Sequence, residues 1–349
     1  MLLSAEELKK SSEIDLAIIE FAKNNPTEPL NWGDAGSVFT ALEEFSKQGL
    51  AMIGEPESSI TEEFKDIPMR DGFQSTLKIH RPTEPPADGS PLIVFCFGGG
   101  FIAGDMHAGT AYARAFVRLF GAVVVNISYR LAPKYKFPIG WHDGIDSAKW
   151  LAEHGSEIGA DLSKGFIIGG ISAGGNMSSV ITNASIEEKF ANPVTGQWLC
   201  VPSLMDENSV PEKYKPYFLS MQHNVDAPVL PSSALHELKK HIESDDDSPL
   251  RYPVLNKAVP LSKLPPTYLQ ADGLDPLRDD ALIYEEMLKE AGVETKIDFY
   301  PGCPRAHFAF MPGIEVSNKA TADIMVGMGW LLGKSVAPED GLKAMGPAA

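Results

Sequence analysis

The chain has 349 residues, of which 44% are hydrophobic and 22% charged, a balance that excludes disordered and fibrous proteins. Lys plus Arg number 30 against 47 Asp plus Glu, a formal net charge of −17, which repels polyanions and argues against nucleic acid as a partner.

From residue 4 to about 50 the pattern is helical, with Leu16, Ile18, Ile19, Phe21 and Ala22 on one side and a break at Asn25-Pro26. This N-terminus has no basic start followed by a long apolar run, and the longest apolar stretch, 92–97, is too short to span a bilayer. The expectation is a cytoplasmic protein without a membrane span. Residues 62–82 read as two alternating strands around Arg70-Asp71-Gly72, a hairpin signal. Short β-rich runs then follow at 91–97, 122–129, 165–170 and 197–202, with helical patterns between them at 110–120 and 145–154. Such alternation predicts a parallel sheet. An irregular stretch from 203 to about 249, ending in the acidic run 243–247, interrupts the rhythm. It resumes with a strand at 266–273, a helix from about 276 to 291, a strand at 294–302 and a last helix near 318–332. Cys96, Cys200 and Cys303 are widely spaced in apolar surroundings, which fits buried, reduced thiols and not a disulfide framework.

Two motifs carry chemistry. Gly170-Ile171-Ser172-Ala173-Gly174 lies where a strand meets a helix, and a nucleophilic serine on so tight a turn needs small neighbours on both sides. Phe97-Gly98-Gly99-Gly100-Phe101 follows the strand at 91–97, and a glycine-rich loop there turns bare amides toward a developing oxyanion.

With these motifs the chain resembles the hormone-sensitive-lipase group of α/β-hydrolase esterases, also called the plant-carboxylesterase or arylacetamide-deacetylase type. The resemblance rests on GGGFIAGD (98–105), YRLAPKYKFP (129–138), GISAGGN (170–176), DGLDPLRDDALIYEEMLKEAG (272–292) and RAHFAF (305–310), and covers roughly residues 60–335. It implies an α/β-hydrolase fold, a mostly parallel eight-stranded sheet flanked by helices, with a helical cap. Residues 1–50 would be an N-terminal cap segment and 203–248 a cap insert; 51–202 and 249–349 would form the two parts of the core. Two positions depart from the family: Phe97 stands where a histidine usually precedes the glycines, and Ile171 where an aspartate usually precedes the nucleophile.

The resemblance also implies the site. Ser172 would be the nucleophile, and the amides of Gly99, Gly100 and Ala173 the oxyanion hole. Of eight histidines, only His307 follows a strand after the acid region, and it matches the family's base. Asp272, Asp275, Asp279 and Asp280 are candidates for the acid; Asp272 suits a turn, Asp279 and Asp280 suit a first helical turn, and the family's motif selects Asp275. Phe101, Ile171, Met205, Tyr217 and Phe218 would line an adaptable apolar substrate pocket. His236, Glu237 and His241 lack zincin spacing, so no metal is expected, and no cofactor. The implied function is a serine esterase acting on small acylated metabolites through a Ser-His-Asp triad, as monomer or homodimer. Thioester cleavage, acyl transfer, a lyase reaction and ligand reception are the alternatives.

Overall fold

The computed structural model describes residues 2–346. Eight strands form one sheet: β1 (Ile60–Pro68), β2 (Gln74–Pro82), β3 (Leu92–Cys96), β4 (Val123–Asn126), β5 (Phe166–Ile171), β6 (Gly196–Cys200), β7 (Thr267–Leu274) and β8 (Thr295–Pro304). Their order is β1-β2-β4-β3-β5-β6-β7-β8. The expected hairpin is present, with Pro68 opposite Gln74, and β2 also runs antiparallel to β4; all later pairings are parallel.

The helices are α1 (Ala5–Lys10), α2 (Leu16–Asn24), α3 (Ala35–Ile53), α4 (Thr110–Phe120), α5 (Ile139–His154), α6 (Ala173–Glu187), α7 (Ser220–His223), α8 (Ser232–Ile242), α9 (Arg278–Glu290), α10 (His307–Phe310), α11 (Glu315–Leu331) and α12 (Pro338–Ala344). Side-chain caps start the first three: Ser4 with Glu7 in a capping box, Asp15, and Asp34. Strand periodicity divides the core between the two sheet faces. Trp198 and Tyr268 join the larger cluster with β3, β4 and α4, while their neighbours Leu199 and Leu269 join a second cluster with α9. All three cysteines are free and buried; burial pushes the Cys96 thiol up to about 12, which keeps it inert as a nucleophile. Among the described residues no helix is long and apolar enough to cross a membrane.

The first turn of α9 fastens both irregular regions to this core. Arg278, fully buried, donates from Nη1 to the Leu8 carbonyl at 2.7 Å and to Ser12 Oγ at 3.0 Å. Asp279 Oδ2 accepts the amides of Leu219 and Ser220, both at 2.6 Å, and Asp280 Oδ1 accepts those of Leu204 and Met205 at 2.7 and 3.0 Å. These two carboxyls sit in the first turn as the sequence suggests, but they are buried anchors and not solvated partners of the helix dipole. Burial raises the Asp280 pKa well above the ordinary carboxyl value.

Candidate active site

Ser172 stands between β5 and α6 with φ 64, a left-handed conformation that costs a non-glycine residue energy and lifts its side chain off the strand. Close packing holds it there. A Cβ on Gly174 would overlap the Cys96 carbonyl oxygen, and one on Gly170 would meet Cys96 and Gly174 backbone. The Ser172 amide donates to the Cys200 carbonyl at 2.9 Å, while its hydroxyl makes no hydrogen bond among the described residues.

The glycine loop after β3 is held by aromatic stacking. The Phe97 ring lies 4.0 Å from that of Tyr129, nearly parallel, and Tyr129 Oη donates to the Phe97 carbonyl at 2.6 Å. Phe97 thus supplies by stacking an anchor at the position where the family usually has histidine. Phe101, at φ 60, stacks on Trp141 at 3.9 Å, whose indole N–H donates to Asn176 Oδ1 at 2.9 Å. Gly99 has φ +125 and no room for a Cβ beside the Ala103 carbonyl. The amides of Gly99, Gly100 and Ala173 donate no hydrogen bond within the chain among the described residues, so all three are free to meet an oxyanion.

The base and the acid are placed differently from the sequence expectation. Asp275 is fully buried, and its Oδ2 accepts from Arg305 Nη1 at 2.6 Å, not from His307. Its Oδ1 accepts the Leu277 amide at 2.9 Å, and Arg305 Nη2 donates to the Val201 carbonyl at 2.7 Å. Burial, the largest cause, pushes Asp275 up to about 6 against the pull of Arg305. His307 is fully buried between the rings of Tyr300 and Phe308. Its Nδ1 lies 3.2 Å from Asp272 Oδ1 without the alignment of a hydrogen bond, and its Nε2 has no partner. Asp272, read from the sequence as a turn residue, is the carboxylate beside this imidazole, and its Oδ2 also accepts the Ala306 amide at 2.7 Å.

The reason lies in the end of β8. The strand continues to Pro304, so Arg305 is the first side chain beyond it; Ala306 then takes a left-handed conformation (φ 50) and His307 begins α10, tucked beneath the wall. Arg305 and Ala306 line the cavity, whereas His307 and Asp275 do not. The sequence held no usable signal for this, because its pattern ends the strand at 302, two residues short of where it ends in the structure.

The cavity, about 700 Å³, has Ser172, Ala173 and Gly98–Gly100 in its wall. Phe101 and Ile171 line it. Met205, Tyr217 and Phe218 do not; they pack in the second core cluster, where Asp280 holds the chain at 204–205. Further parts of the wall include α3 (Phe45, Ile53), His107 and the start of α4 (Thr110, Tyr112), α8 (Leu235, Leu238), the segment 308–310, and Leu342 and Met345. Arg251, absent from the sequence-based candidates, is also in the lining.

Comparison with known proteins agrees with this architecture. A family described as alpha/beta hydrolase fold matches residues 93–309. An AB hydrolase superfamily protein of Schizosaccharomyces pombe is 32% identical over 324 residues, covering 93% of this chain and 95% of the relative. Versiconal hemiacetal acetate esterase of Dothistroma septosporum is 32% identical over 244 residues, 69% of this chain and 74% of that protein. The crystal structure of vibralactone cyclase superposes with a TM-score of 0.82 at 28% identity, covering 95% of this chain and 98% of the other. The family match over residues 93–309, the 32% identity to a relative covered almost whole and the eight-stranded sheet show that the chain belongs to the α/β-hydrolase family.

Proposed function

We propose that this protein is a carboxylic ester hydrolase for small, largely apolar acyl esters, with Ser172 as nucleophile and the amides of Gly99, Gly100 and Ala173 as oxyanion donors. The observation that carries this reading is Ser172 at φ 64, its hydroxyl uncommitted, in the wall of an apolar cavity beside three undonated amides. The relative named as an esterase supports it. Ser172 Oγ attacks the acyl carbonyl as its proton passes to solvent water, the amides receive the oxyanion, the leaving alkoxide departs with a proton taken from water, and a second water hydrolyses the acyl-serine ester to release the acid and restore the hydroxyl.

Arg305 stands between the buried acid and the cavity, where a triad would hold its imidazole. A guanidinium stays protonated throughout the working range and takes no proton from serine. Ser172 Oγ therefore makes no hydrogen bond to a base among the described residues, and its advantage over water comes from the oxyanion donors and binding, about 10³–10⁴-fold in enzymes stripped of a triad member. Esters with good leaving groups are the expected substrates. The same Asp275–Arg305 pair favours a second reading, a pocket for ligand binding or for acyl chemistry other than hydrolysis.

Hydrolysis of p-nitrophenyl acetate, butyrate, octanoate and decanoate tests both. Slow turnover that Ser172→Ala abolishes supports the esterase, and Arg305→His is expected to raise it at least tenfold by placing an imidazole beside Asp275. His307→Ala is expected to leave turnover unchanged; loss of activity in that variant, with the fold intact, would return the base to His307. No serine-dependent turnover in folded protein favours the second reading.

A further inference from the structure

We propose that the ligand of this cavity carries a carboxylate, and that Arg251 binds it; the inference rests on the reading of the cavity as the substrate site. The cavity holds two arginines that differ in one respect. Arg305 is neutralised by Asp275. Arg251, only 6% exposed, has no ion pair among the described residues. Its Nε has no partner, and its one side-chain hydrogen bond, from Nη1 to Ser203 Oγ, is long at 3.5 Å. A buried guanidinium without a counter-charge is unfavourable, and its planar fork matches a carboxylate with two parallel donors.

The surroundings are built to hold Arg251 in place while leaving its charge unmet. Asn176, one turn after Ser172 in α6, donates from Nδ2 to the Arg251 carbonyl at 2.8 Å and to the Ser203 carbonyl at 2.6 Å. The guanidinium carbon lies 4.5 Å from the centre of the Tyr252 ring, a stacking contact that fixes the side chain. The backbone of Arg251 is thus tied to the helix that presents the nucleophile. In a chain with 47 acidic residues, the cavity lining contains neither Asp nor Glu among the described residues. A protein of net charge −17 repels anions at long range, so preference for an anionic ligand has to come from this local site.

A half-ester of a short dicarboxylic acid meets these features: an ester carbonyl for Ser172, a methylene chain for the apolar wall and a carboxylate for Arg251. Calorimetric titration of the Ser172→Ala protein with monoethyl glutarate and with ethyl glutaramate, its neutral amide counterpart, reads the preference directly without turnover. The half-ester is expected to bind roughly tenfold or more tightly than the amide. Arg251→Gln, shown to be folded by its melting transition, is expected to abolish the difference, and Arg251→Lys to retain part of it. Arg251→Met, which keeps the stem's bulk, serves if the Gln variant does not fold. Equal binding of the two probes, or a preference that survives in Arg251→Gln, overturns the proposal. Carboxylate preference without turnover of any ester would overturn the hydrolase reading alone, and serine-dependent turnover with no preference would overturn this one alone.

Discussion

Single atoms set the geometry at Ser172. The carbonyl oxygen of Cys96 occupies the space that a Cβ at Gly174 would need, so the elbow tolerates only glycine there. Gly174→Ala is expected to lose about 3 kcal/mol, the range of overpacking against an unyielding neighbour, together with all serine-dependent activity; urea unfolding and reaction with a fluorophosphonate probe measure the two effects. Retained labelling would show that the turn yields. Asp275 and Arg305 form the other decisive contact. Asp275→Asn leaves the buried guanidinium without its counter-charge, and a loss of about 3–5 kcal/mol is expected, read in the same unfolding experiment. A triad acid working through His307 would instead show intact stability and lost turnover.

At the scale of elements, the first turn of α9 connects parts of the chain that local sequence leaves loose. Asp279 accepts two amides of the segment leading into α7, and its other oxygen accepts from Arg278 Nε at 2.7 Å. Asp279→Ala strips these partners together, leaving a buried Arg278 uncompensated, and a destabilisation of about 3 kcal/mol is expected. Limited proteolysis checks where the change falls: cleavage should appear within 206–226 before the sheet unfolds. Cleavage confined to the termini would place the anchor elsewhere. This turn also explains the failed pocket expectation. Met205, Tyr217 and Phe218 have the composition of a pocket wall, yet α9 draws their segment onto the second core cluster, and the wall is completed by α3 and α8.

At the scale of the whole molecule, one carboxylate ties the β1–β2 hairpin to α4. Glu62 on β1 accepts from Arg114 Nε of α4 at 2.6 Å and lies 3.2 and 3.1 Å from Lys78 and His80 of β2. Burial opposes its charge, but His80 and Arg114 outweigh it and hold the carboxyl well below the ordinary range. A depressed native pKa contributes stability that is complete above the unfolded value of about 4.3 and is lost as pH falls below it. Melting temperature should therefore drop below about pH 4.3, and Glu62→Gln should lower it at neutral pH while flattening that acid limb. An unchanged slope would show that other carboxylates govern acid unfolding.

The order of elements, the hairpin at Arg70-Asp71-Gly72, the buried cysteines, the serine elbow and the glycine loop were all legible in the chain, because each follows from near-neighbour chemistry: periodicity, turn residues, and backbone too crowded for a Cβ. The helix at 110–120 was read to the residue, since Gly121 in a left-handed conformation ends it. What only the tertiary structure decided is which side chains meet. Asp272 and Asp275 lie three residues apart and Arg305 and His307 two, and the spacing alone gives no means of telling which acid faces which partner. The end of β8 and the left-handed turn at Ala306 make that choice, placing Arg305 against Asp275 and burying His307 beside Asp272. Arg251 was invisible for the same reason: its meaning depends on an acid being absent from a wall assembled from many distant segments, and an absence of that kind exists only after the chain has folded.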